Sequence, residues 1–121
     1  VRQPFNINSP ALAAAQAALT DDGHVAKSIA LNRSGLDQLR AGARALGLAC
    51  LPSVGNFLCV DLARPAAPVY EALLRRGVIV RPIANYGMPN HLRITAGLPA
   101  ENDRCLGALS DVLRPGAVAR P

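Results

Sequence analysis

Tryptophan is absent, and the chain of 121 residues has only four aromatic side chains, Phe5, Phe57, Tyr70 and Tyr86. Its interior must therefore be filled by Ala, Leu, Val and Ile, and an aromatic outside that core stands out. So few rings also argue against a nucleic-acid groove, where bases stack on aromatic faces. The net charge of +5 rests on twelve arginines and a single lysine, scattered from Arg2 to Arg120 and never more than two in a row (Arg75-Arg76). This is not the basic stripe of a nucleic-acid binder, but it suits ligands bearing phosphate and carboxylate groups. No apolar run approaches the roughly 18 residues that cross a bilayer, and the first residues lack the layout of a secretory signal. Cys50, Cys59 and Cys105 are odd in number, widely spaced and set among apolar neighbours, which predicts reduced thiols rather than disulfides or a metal site. The expectation is a soluble, cytoplasmic protein without metal or membrane partners.

Two further scarcities bear on chemistry. Lys27 is the sole lysine, so a reaction needing a Schiff-base amine must use it or a lysine from elsewhere. Met88 is the sole methionine and the first residue is Val1, which reads as a segment of a longer polypeptide.

What is present orders itself into alternating elements. Ser9 offers an N-cap with Pro10 in the first helical position, predicting a helix to about Leu19. After Thr20-Asp21-Asp22-Gly23, apolar residues Val25, Ile29, Leu36, Leu39, Ala43 and Leu46 recur at helical spacing until Gly47. Strands are predicted at 48–51 and 57–62, and a helix from about Ala67 to Arg76, stopped by Gly77. Val78-Ile79-Val80 is so short and apolar that it should lie inside the sheet. Residues 91–96 alternate, with Leu92, Ile94 and Ala96 on one face and His91, Arg93 and Thr95 on the other. A last helix spans Pro99 to about Leu113, with acids in its first turn, and residues 115–121 read as a disordered tail. The sum is one α+β domain over residues 1–114: a small, largely antiparallel sheet in two layers, covered on one face by helices.

The polar face of that sheet carries the candidate site. Arg93 sits on a strand that holds its planar fork of donors still, as a carboxylate grip requires. Arg81 follows the apolar run and precedes Pro82, so contacts to loop carbonyls and to a substrate are both open to it. Tyr86, in the loop with Gly87, either lines the mouth of the site or packs under the loop. His91 reads as a surface histidine at a strand start.

Three segments carry a family resemblance: Arg2-Gln-Pro-Phe-Asn-Ile-Asn8, Pro52-Ser-Val-Gly-Asn-Phe-Leu-Cys-Val60 and Leu92-Arg-Ile-Thr-Ala-Gly97. In this order they resemble the C-terminal small domain of histidinol-phosphate aminotransferases, within the fold-type I enzymes that use pyridoxal phosphate. The resemblance covers Arg2 to about Leu113. It implies that Arg93 binds the α-carboxylate of an amino-acid or phosphorylated small-molecule substrate; Arg81 and Tyr86 are candidates for further contacts, beside their structural readings. It also implies that the cofactor and its Schiff-base lysine belong to a large domain upstream, that Lys27 is a solvated helix residue, that this segment alone is inactive, and that the parent is a homodimer. Aromatic aminotransferases and threonine-phosphate decarboxylases of the same branch share these features. Outside the branch, the same residues suit a stand-alone module that captures small anions through Arg93.

Overall fold

A computed structural model describes residues 7–114. The expected tail at 115–121 and the opening residues 1–6 lie outside the described residues. The chain divides into two compact units, one up to Ala30 and one from Leu31 onward.

The first unit holds helix α1 (Ser9–Ala18) and the start of α2 (Asp22–Ala45). The cap of α1 is Asn8, not Ser9: the Asn8 Oδ1 accepts from the Ala11 N–H at 2.8 Å, which moves Ser9 into the first turn beside Pro10. Every residue of α1 is exposed, and so are Val25 and Ile29 of α2.

In the second unit the stripe Leu36, Leu39 and Ala43 of α2 is buried. Helix α2 stops where Gly47 takes a left-handed φ of 73°, and the Leu48 N–H returns to the Ala43 carbonyl. Four strands follow, β1 (Ala49–Cys50), β2 (Phe57–Asp61), β3 (Arg81–Ile83) and β4 (Met88–Thr95), with α3 (Ala66–Leu74) between β2 and β3 and α4 (Pro99–Leu113) last. They form one antiparallel sheet in the order β1-β2-β4-β3. Leu58, Val60, Leu92 and Ile94 point from its inner face into a core shared with α2, Val69 and Leu73 of α3, and Cys105, Leu109 and Val112 of α4. The sheet is thus covered on one face, and this is the expected α+β arrangement.

Val78-Ile79-Val80 departs from expectation. Gly77, with φ 71°, follows the end of α3; Val78 is buried and Val80 packs half-buried against the core, whereas Ile79 is 82% exposed and pairing with β4 begins at Arg81. In the β3–β4 register Val80 would fall opposite Ile94 and Ile79 opposite Thr95, so β4 still offers partners there, but the chain stands apart from it; beyond Thr95 the Ala96 N–H bonds the Asn56 carbonyl and the Gly97 N–H the Asn102 side chain. β3 is instead a short edge strand, and Pro82, which has no N–H, is tolerated there.

Candidate functional site

Where β3 and β4 part, a cleft of about 550 Å³ opens, lined among others by Ile79, Arg81, Arg93, Thr95, Gly97 and Arg104. Its position follows from the register. Arg93 lies directly opposite Cys59 on β2 and directly opposite Arg81 on β3, so the three side chains form a row across the outer face. The alternation that buries Leu92 and Ile94 sends Arg93 to that face, as read from the sequence.

Arg93 is half-buried, and its surroundings are unusual for an arginine that serves only the fold. Its guanidinium carbon stands 5.0 Å from the centroid of the Phe57 ring, and its Nε is buried without a hydrogen-bond partner. Among the described residues the ion pairs are Arg40–Asp37 at 3.0 Å and Arg114–Asp111 at 3.4 Å, both between neighbours one helical turn apart. Neither Arg93 nor Arg81 joins one. A half-buried guanidinium without a carboxylate is poised to receive one from a ligand, because an unpaired donor in a low-dielectric setting is costly to leave unmet.

The far wall of the cleft is rigid. Asn102, 2% exposed, accepts from the Gly97 N–H at 2.9 Å and donates to the Gly97 carbonyl at 3.2 Å and to Gln38 Oε1 at 3.0 Å. Gln38 in turn donates to Asp103 at 2.7 Å and to the Pro99 carbonyl at 3.1 Å. Glu101 is engaged locally, accepting from the Leu98 N–H at 2.8 Å at the start of α4.

The sequence-predicted residues separate here. Arg81 and Arg93 share the cleft. Tyr86 closes the short 3-10 turn Ala84–Tyr86 ahead of Gly87, is 64% exposed, and is not among the residues lining the cleft. His91 is not at a strand start but in the middle of β4, half-buried, opposite Asp61 and with its Nδ1 unpartnered. Lys27 is exposed on α2, in the first unit. Sequence reasoning missed Phe57 as a neighbour of Arg93 and Asn102 as the clamp on Gly97. The only signals were an aromatic two residues from Cys59 on one strand face and an amide in the first turn of an otherwise amphipathic helix.

Comparison with known proteins gives a consistent set of relatives. The family model for class I and II aminotransferases matches residues 1–109. Histidinol-phosphate aminotransferase 2 of Pseudomonas fluorescens is 66% identical over 116 residues, which are 96% of this chain and 31% of that protein. The enzyme of the same name from Pseudomonas aeruginosa is 65% identical over 113 residues, covering 93% of this chain and 31% of that protein. The crystal structure of histidinol-phosphate aminotransferase from Sinorhizobium meliloti, in complex with pyridoxal-5'-phosphate, superposes with a TM-score of 0.82 at 28% identity, over 94% of this chain and 32% of that one. The chain thus spans about a third of the length of the relatives it matches.

Proposed function

The chain belongs to the class I and II aminotransferases, and from that premise we propose that it forms the substrate-anion side of a pyridoxal-phosphate-dependent histidinol-phosphate aminotransferase. The parent protein would move an amino group between glutamate and imidazole-acetol phosphate, in the cytoplasm and as a homodimer. The observation that carries this reading is Arg93: half-buried, its Nε unpartnered and without an acid of its own.

Bound to the rest of the protein, pyridoxal phosphate supplies the electron sink that amino transfer needs. What this chain adds is position. In one half-reaction the substrate presents an α-carboxylate, and in the other a phosphate ester occupies the corresponding arm of the molecule. A guanidinium fork matches both groups with paired N–H donors. Holding that arm fixes the rotation about the neighbouring carbon, so the bond to be broken is oriented before reaction, which is entropy removed from the barrier. Arg81, exposed on the cleft rim and in no ion pair among the described residues, adds positive charge suited to a phosphate dianion. Tyr86 lies outside the cleft lining, so a contact between it and the substrate would have to come from the assembled site of the parent protein.

The test is Arg93→Ala in the intact protein, with steady-state kinetics for glutamate and histidinol phosphate. Charge-assisted hydrogen bonds contribute about 1.5–3 kcal/mol each, so loss of a bidentate pair should lower kcat/KM for both substrates by about 10²–10⁴-fold. Arg93→Lys keeps the charge but not the fork and should recover only part of this. Unchanged kinetics in Arg93→Ala would remove the assignment. Turnover with O-phosphothreonine instead of histidinol phosphate would keep Arg93 and reassign the substrate.

A further inference from the structure

We propose that Phe57 is a positioning residue for Arg93, a ring that holds the guanidinium in the orientation in which it receives the substrate anion; this rests on the reading of Arg93 given above. The register sets up the contact. Phe57 pairs with Thr95 and Cys59 with Arg93, so Phe57 is the diagonal neighbour of Arg93 on the outer face. Diagonal neighbours across antiparallel strands lie roughly 7–8 Å apart at the backbone, within reach only of long or aromatic side chains. The arginine reaches toward β2 past Cys59, whose small side chain leaves the way open. Its guanidinium carbon ends 5.0 Å from the ring centroid, within the range of a cation–π contact.

The ring is itself held. The Ser53 hydroxyl donates to the Phe57 carbonyl at 2.5 Å, and the preceding carbonyl, Asn56, accepts from the Ala96 N–H at 2.8 Å. A methyl group on Gly55 would stand 3.2 Å from the ring edge, so the glycine leaves the ring its space. On the other side of Arg93 stands the like charge of Arg81, which repels it toward Phe57. A neutral ring is well suited to this place. A carboxylate would also orient the guanidinium but would occupy the donors and cancel the charge that the substrate needs, whereas a ring face attracts the cation and leaves its N–H edge free.

The experiment is a variant series in the intact, cofactor-loaded protein: Phe57→Leu, Phe57→Met and Phe57→Tyr, each alone and combined with Arg93→Ala. Glutamate KM, kcat and the dissociation constant of glutamate are measured. Losing the ring should raise the glutamate dissociation constant and KM by about 5–10-fold with a smaller change in kcat. Phe57→Tyr, which keeps the ring, should stay within about twofold of the parent. In the Arg93→Ala background the Leu and Met variants should have no further effect, because the ring acts only through the arginine. Phe57→Met retains apolar bulk and serves if Phe57→Leu fails to fold. Unchanged glutamate affinity in the Leu and Met variants would overturn the proposal, and so would an equal loss in the Arg93→Ala background. If Arg93→Ala itself leaves glutamate affinity intact, the assignment of Arg93 fails instead.

Discussion

Arg81 and Arg93 face each other directly across the β3–β4 pair, two like charges in one cross-strand position with no acid between them. Directly opposed like charges cost a sheet roughly 0.2–1 kcal/mol relative to neutral residues. The arrangement therefore works against stability and fits a site completed by an anion. Arg81→Gln in the intact protein should leave thermal stability unchanged or slightly raised. Under the proposed function it should also raise KM for histidinol phosphate by about tenfold, more than for glutamate, because a charge-assisted contact to the phosphate would contribute about 1.5 kcal/mol or more. Calorimetry and steady-state kinetics with the two substrates check both halves; a marked loss of stability would show that Arg81 serves the fold instead.

Much of this arrangement is legible along the chain, and the limits are physical. The final helix runs Pro99–Leu113 as read, because Pro99, the early acid Glu101 and the spacing of Cys105, Leu109 and Val112 all act within a few residues of one another. The face of Arg93 was equally plain from the alternation around it. What could not be read was register. Phe57 and Arg93 are 36 positions apart in sequence, and only the pairing of β2 with β4 makes them diagonal neighbours. The misread strand at 78–80 has the same origin. A short apolar run looks alike whether it pairs or not.

Cys105 offers a pH signature. Burial pushes its thiol above the ordinary value, and burial does the same to Cys50, partly offset by Arg40 and Arg44. A thiol raised in the folded state favours folding below its unfolded value of about 8.5, and that stability is lost as pH rises through the folded value. Stability of the intact protein should thus decline above about pH 8.5, and Cys105→Ala should flatten the decline even though the cavity lowers stability throughout. Urea melts between pH 7 and 10, read as the difference in slope between parent and variant, decide it. Identical slopes would mean that Cys105 ionises alike in both states.

Asn102 is where fold and site are joined. Its side chain closes both backbone groups of Gly97 at the end of β4 and meets Gln38, which is tied to α4 through Asp103 and the Pro99 carbonyl. Replacing it by alanine removes the partners of the Gly97 N–H, the Gly97 carbonyl and the Gln38 Oε1, all half-buried. A hydrogen bond contributes about 0.5–1.5 kcal/mol, and more where its partner stays shielded from water, so Asn102→Ala should destabilise the protein by about 1–3 kcal/mol. Urea unfolding should show a lower midpoint with the slope preserved, since the surface exposed on unfolding is nearly the same. Asn102→Asp separates the two roles of the amide. The carboxylate still accepts from Gly97 but cannot donate to the Gly97 carbonyl or to Gln38, so it should recover only part of the loss. A midpoint equal to the parent's in Asn102→Ala would mean that the clamp is dispensable. The end of β4, and with it the cleft wall opposite Arg81, would then be held by the Ala96–Asn56 hydrogen bond alone.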